Sequence, residues 1–219
     1  MRNWRFSISQ WQENHIKNPT FNVYKIQKAK NIKMKKIPSY TLLILLSFLS
    51  TNCIQERVMN RVVKYDYNGQ TEHLLVGEFD KNQLNGQYFK DWYEPEYNDY
   101  KVDEALSNQL KKYSKKYTID VFMGTWCPDS KREVPALIKI LETIKFPDGR
   151  VNFYGLNRDK KSFYGEELNK DVRYVPTIIV YEKRKEIGRI VESPVSGSLE
   201  EDLLMIFSKT PLEPNYSEK

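Results

Sequence analysis

Tyr117-Thr118-Ile119-Asp120-Val121-Phe122-Met123 followed by Gly124-Thr125-Trp126-Cys127-Pro128-Asp129-Ser130-Lys131 is the stretch on which the reading of this chain turns. Its first half is β-branched and aromatic and predicts a central strand. Its second half puts a cysteine where that strand ends and a helix begins. Pro128 suits the first helical position, because it lacks an N–H and presets φ. Behind it, Val134, Leu137, Ile138, Ile140, Leu141 and Ile144 recur with helical periodicity and predict a helix over 128–144.

A cysteine at a helix start faces unpaired backbone N–H groups and the positive end of the helix dipole, which favour thiolate over thiol. The amide and hydroxyl of Ser130 are expected to point at the sulfur, and Lys131 and Arg132 to add positive charge, against Asp129. Polar neighbours predict an exposed, reactive junction rather than an inert buried cysteine. A dithiol site attacks a disulfide with one thiolate and resolves the mixed disulfide with a second thiol. Here Ser130 occupies the resolving position, and a hydroxyl cannot perform that step. Cys127 is therefore expected to work as a single thiol, with an external thiol or a client cysteine completing turnover.

Outward from this stretch, Val151–Leu156 reads as a second strand and 161–170 as a short helix. Thr177–Tyr181 and Ile187–Glu192 read as third and fourth strands around a charged turn at 182–186. A last helix opens at Ser198 or Gly197. The order βαβ then ββα predicts a compact α/β domain with a mixed central sheet covered on both sides. Upstream, Arg61–Tyr67 is weakly strand-like and Leu74–Gly77 a short extended segment. Gln83–Asn98, with Phe89, Trp92, Tyr93 and Tyr97, reads as an aromatic-anchored loop, and 102–115 as a helix started by Asp103. The tail 210–219 is expected to be loose.

Val175-Pro176-Thr177 lies about 50 residues beyond Cys127, just before an apolar strand. Proline there has no ladder N–H to give. A cis bond would turn the chain beside the helix start and leave the Val175 backbone to pair with an extended peptide. Trp126 is expected to border the thiol and Arg173 to touch substrate, while Tyr154 and Tyr164 read as packing groups.

The formal charge of +6 on 219 residues is unevenly placed. Residues 1–52 carry nine Lys/Arg and one Glu, leaving 26 basic and 28 acidic residues in 53–219, a net of −2. No basic stripe with interleaved aromatics is present, so nucleic acid is not an expected partner. Two histidines, His15 and His73, and two distant cysteines do not make a metal site. No Gly-rich phosphate loop follows a strand, so no nucleotide or other cofactor is expected.

Lys35-Lys36 ahead of the apolar run Thr41–Ser50 reads as a targeting signal; the run is too short for a mature bilayer span, which needs about 20 residues. Met34 is a plausible start, with 1–33 an over-extended beginning. Leu49-Ser50-Thr51-Asn52-Cys53 resembles a bacterial lipoprotein signal, which implies a lipidated Cys53, a membrane anchor and a cell-envelope location facing the periplasm or exterior. Secretion without an anchor, an uncleaved anchor and a Cys53–Cys127 disulfide remain open on the sequence.

Trp126-Cys127-Pro128-Asp129-Ser130-Lys131, with Pro135 in the helix, Val175-Pro176-Thr177 and Gly188, resembles the thioredoxin family over roughly 104–209, with 53–103 as an N-terminal extension packing on that core. The resemblance implies a three-layer α/β/α fold. It implies a tryptophan beside the active cysteine, a kinking proline at Pro135 and a cis-proline at Pro176 facing the sulfur. Clients would be protein thiols or disulfides, or glutathione or another small thiol. Two departures bear on activity. Ser130 replaces the resolving cysteine, and the buried acid of many members falls at Val121, with Asp120 one position away on the opposite strand face. The alternative is a non-catalytic binding or scaffold protein on the same fold.

Overall fold

A computed structural model describes residues 58–217. The leader 1–52 and Cys53 lie outside the described residues. β4 (Thr118–Met123) is the central strand. Its alternation sends Ile119, Val121 and Met123 to one face and Asp120 and Phe122 to the other, and all five are buried. It pairs in parallel with β5 (Val151–Gly155) and antiparallel with β6 (Thr177–Glu182). β3 (Gly77–Phe79) and β7 (Lys185–Val191) are the edges, giving the order β3-β5-β4-β6-β7. The mixed central sheet flanked by helices is the expected architecture. β3 lies within the stretch read as an extension, yet it is an edge strand of the sheet.

The parallel β4–β5 pair needs a crossover, and α3 (Pro128–Thr143) supplies it. Pro128 stands in its first turn and Asp129 complements its dipole. Val134, Leu137, Ile138 and Leu141 bury against Ile119, Val121, Ile178 and Val180. α4 (Leu199–Phe207) begins where Ser198 accepts the Glu201 N–H, and packs Leu203, Ile206 and Phe207 into the same cluster. α2 (Glu104–Leu110) starts at Asp103, which caps the Leu106 N–H at 2.8 Å.

Three elements depart from the sequence reading. β1 (Val62–Tyr67) and β2 (Gln70–Leu75) form a separate antiparallel hairpin, closed by Asn68 and Gly69 with positive φ. Gln83–Asn98, read as a loop, contains α1 (Lys90–Asp99). Phe89, Tyr93 and Tyr97 are spaced by four residues, a helical stripe that Pro95 and the polar composition conceal. The free carbonyls at the end of α1 are taken up from outside: the Lys139 ammonium donates to the carbonyls of Tyr97, Asn98 and Tyr100 at 2.7, 3.0 and 2.9 Å.

The helix expected over 161–170 is instead a series of turns. Ser162 Oγ accepts the Glu166 N–H at 2.7 Å and the Glu167 carboxylate accepts the Ser162 N–H at 3.1 Å. These side chains compete for the backbone groups a helix would use. Gly165 and Asn169 have positive φ. The tail from Pro211 onward has no helix or strand, yet it is fastened to the domain by Asn215, whose amide bonds the carbonyl of Ser193 at 2.9 Å. No helix among the described residues is long and apolar enough to cross a membrane.

The join between hairpin and sheet is tight at Gly155. A Cβ there would lie 2.2 Å from the Leu75 carbonyl oxygen. Gly155→Ala must move one backbone segment away from another, and is expected to lower stability by roughly 2–4 kcal/mol in urea unfolding.

Candidate functional site

Cys127 is the N-cap residue of α3, with φ −88° and ψ 126°. The turn before it is closed by its N–H, which donates to the Gly124 carbonyl at 2.9 Å. Gly124 is required there: a Cβ would come within 2.7 Å of the Trp126 indole. The indole lies back over this backbone and its N–H donates to the Leu156 carbonyl at 3.0 Å. Thr125 Oγ1 accepts the Leu75 N–H at 3.3 Å, tying the loop to the end of β2.

The sulfur does not cap its own helix. No hydrogen bond runs from the helix amides to the Cys127 side chain. Its thiol donates to the Val175 carbonyl at 3.0 Å, across 48 residues of chain. The Val175–Pro176 peptide is cis, as expected, and Val175 is buried with Cys127, Phe122, Leu156 and Ile179 in a small apolar cluster on the sheet's second face. Thr177 steadies the turn by donating its hydroxyl to the Tyr174 carbonyl at 2.7 Å. Cys127, Trp126, Val175 and Pro176 therefore lie together at this corner.

Other expectations need correction. Cys127 is 6% exposed, so the junction is less open than its polar neighbours suggested. Ser130 is fully buried, and its hydroxyl accepts the Gly124 N–H at 3.1 Å instead of addressing the sulfur. Arg132 is engaged by carboxylates, Asp129 at 2.8 Å and Glu133 at 2.7 Å. The Lys131 ammonium stands 5.7 Å from the Trp92 ring centroid. Arg173 pairs with Asp171 at 2.7 Å in the segment leading to Pro176.

Val121 lies on the α3 side of β4, in the main core. Asp120 is on the opposite face, as the strand period requires. It accepts the Asn152 amide at 2.8 Å and forms an ion pair with Lys170. Burial disfavours the Lys170 ammonium, but Asp120 and Tyr181 outweigh it and raise its pKa. The buried carboxyl on α3 is Glu133: burial pushes its pKa up, against the opposing pull of Arg132. Tyr154 stacks on Phe122 with centroids 4.9 Å apart, a packing role.

One feature had no signal in the motif. Arg158 reaches across to the hairpin, donating to both oxygens of Glu72 at 2.7 and 2.8 Å. Its guanidinium is 3.7 Å from the Tyr67 ring centroid and 5.1 Å from that of Trp126. The hairpin thus buttresses the tryptophan beside the thiol. The sequence reading placed no strand over Glu72, which the structure puts in β2.

Two measurements follow from this arrangement. Ser130→Ala orphans the buried Gly124 N–H and is expected to cost about 1–3 kcal/mol in denaturant unfolding. Glu133 holds its proton more tightly folded than unfolded, so its contribution is fully present below the ordinary carboxyl range and is lost as pH rises through the raised pKa. Glu133→Gln removes that loss. The stability difference between variant and parent is expected to move in the variant's favour as pH rises from the ordinary carboxyl range through the raised pKa.

No curated protein matches the chain. Among solved structures, a Pseudomonas aeruginosa protein of unknown function is 17% identical, with a TM-score of 0.42, covering 61% of this chain and 89% of its own. An HIV epitope scaffold is 17% identical, with a TM-score of 0.36, covering 55% of this chain and 78% of its own. The family model described as thioredoxin matches residues 79–198, from the β3 edge through the cysteine helix and the cis-proline to the start of α4. More than half of the sequence lies inside that match, and the chain belongs to the thioredoxin family.

Proposed function

We propose that this protein carries out thiol–disulfide exchange through one thiol, Cys127. The observation that carries the reading is the placement of that sulfur: at the N-cap of α3, 3.0 Å from the Val175 carbonyl, beside cis-Pro176, with a serine three positions on. In the reacting form the thiol gives up its proton and leaves the carbonyl. The thiolate attacks one sulfur of a client disulfide, the new S–S bond forms, and the client's other sulfur departs as thiolate. Val175 and Pro176 align the incoming chain and Trp126 borders it. Ser130 supports the loop and has no sulfur with which to resolve the product. A second client cysteine, or a small thiol such as glutathione, supplies the electrons that reduce the mixed disulfide. Clients are proteins of a bacterial envelope, met by a chain anchored through lipid on Cys53.

A second reading is a binding or scaffold protein on the same fold. It is favoured by the 6% exposure of Cys127 and by Val121 standing where many relatives have an acid.

The test is reaction of the full chain with a cysteine peptide activated by thionitrobenzoate, followed by the release of that thiolate. A disulfide-linked adduct is expected with the parent and not at that position with Cys127→Ala; equal rates for both would leave the binding reading. Ser130→Cys is expected to free the peptide at least about tenfold faster without added thiol, because the second sulfur attacks the first.

A further inference from the structure

Beyond α4 the chain returns toward the thiol. A Cβ on Gly188 of β7 would meet Pro211 at 3.0 Å, so the tail runs alongside this edge strand. Outer backbone groups of an edge need cover. Asn215 provides some, its amide donating to the carbonyls of Val191 at 3.3 Å and Ser193 at 2.9 Å. With Asn215 fastened, Tyr216 lays its ring on Tyr174, centroids 4.4 Å apart and planes 22° from parallel. Tyr174 directly precedes Val175, whose carbonyl receives the Cys127 thiol. The two rings remain open to solvent, Tyr174 at 36% and Tyr216 at 59%. Beneath the tail lies a cavity of about 340 Å³, bordered by Thr177, Arg189, Val191 and Pro214.

The geometry points to Tyr174 and Tyr216 as a platform that receives an apolar or aromatic side chain next to the cysteine of an extended client. This rests on the exchange reading above. Tyr174 is one residue from the Val175 whose carbonyl receives the Cys127 thiol, and an extended chain advances about 3.3 Å per residue, so the proposed occupant is the residue one or two places from the client cysteine. Stacked, solvent-facing aromatics recover their hydration cost by covering another apolar face. Ionic recognition is less suited to this wall: Arg173 pairs with Asp171 at 2.7 Å and Arg189 with Glu186 at 2.7 Å. The Glu192 carboxylate beside the Tyr216 hydroxyl raises the phenol's pKa, with burial, Tyr174 and Asp129 adding smaller pushes in the same direction. Tyr216, which the tail contributes, lies beyond the segment that matches the family, and Tyr174 lies within it.

Two thionitrobenzoate-activated peptides test it, identical except for Phe or Gly beside the cysteine. The parent chain is expected to react about five- to tenfold faster with the Phe peptide, and that ratio to fall to about one in Tyr216→Ala and persist in Tyr216→Phe. An unchanged ratio in Tyr216→Ala overturns the platform, as does acceleration of both peptides, which would make the tail an obstruction. Anisotropy with serine versions of the peptides on Cys127→Ala reads the same preference without any sulfur chemistry. A Tyr216-dependent preference there, with no exchange in the parent, would sink the exchange reading and leave the platform standing. No preference in binding overturns the platform itself.

Discussion

β4 is the constraint from which the rest of the molecule follows. It bonds to β5 on one side and β6 on the other, and it is buried on both faces. A strand so placed must end in a loop that meets solvent at the sheet's rim. The parallel neighbour then demands a helix across one face. Cys127 stands at that unavoidable corner, between the last buried residue of the strand and the first turn of α3. The site is a product of topology before it is a product of chemistry.

The residues around the thiol divide between building the corner and equipping it. Gly124, Thr125 and Ser130 build: each meets backbone or ring at close range, and each satisfies a group that burial would otherwise penalise. Cys127, Val175 and Pro176 equip it. Charge plays a smaller part than the local sequence suggests, since Arg132 is shared between Asp129 and Glu133. A serine in the resolving position is a hydrogen-bond acceptor in the core here, which is a structural task as much as a chemical absence.

Segments outside the sheet shape the mouth of the site. The β1–β2 hairpin reaches Trp126 through Glu72 and Arg158, and the C-terminal tail reaches Tyr174 through Asn215 and Tyr216. Both contacts use aromatic faces. The hairpin and the tail thus border the corner that holds the thiol, and the tail also takes up the Val191 carbonyl at the sheet's edge.

By itself the sequence determined the central strand, the helix after Cys127, the cis-proline position and the opposite-facing Asp120. The strand, the helix and the facing of Asp120 rest on short-range periodicity, which acts within a few residues, whereas the cis bond at Pro176 was implied by the resemblance to the thioredoxin family. α1 was hidden because Pro95 and polar residues mask its four-residue aromatic spacing. The turns over 161–170 were misread because side-chain bonds from Ser162 and Glu167 override a weak helical pattern. Only the tertiary structure decided where the sulfur points, which groups engage Lys139, and that the tail docks. Those outcomes depend on partners distant along the chain, 48 residues for Val175 and Cys127, 42 for Tyr97 and Lys139 and 22 for Ser193 and Asn215, whose approach is set by packing of the whole sheet.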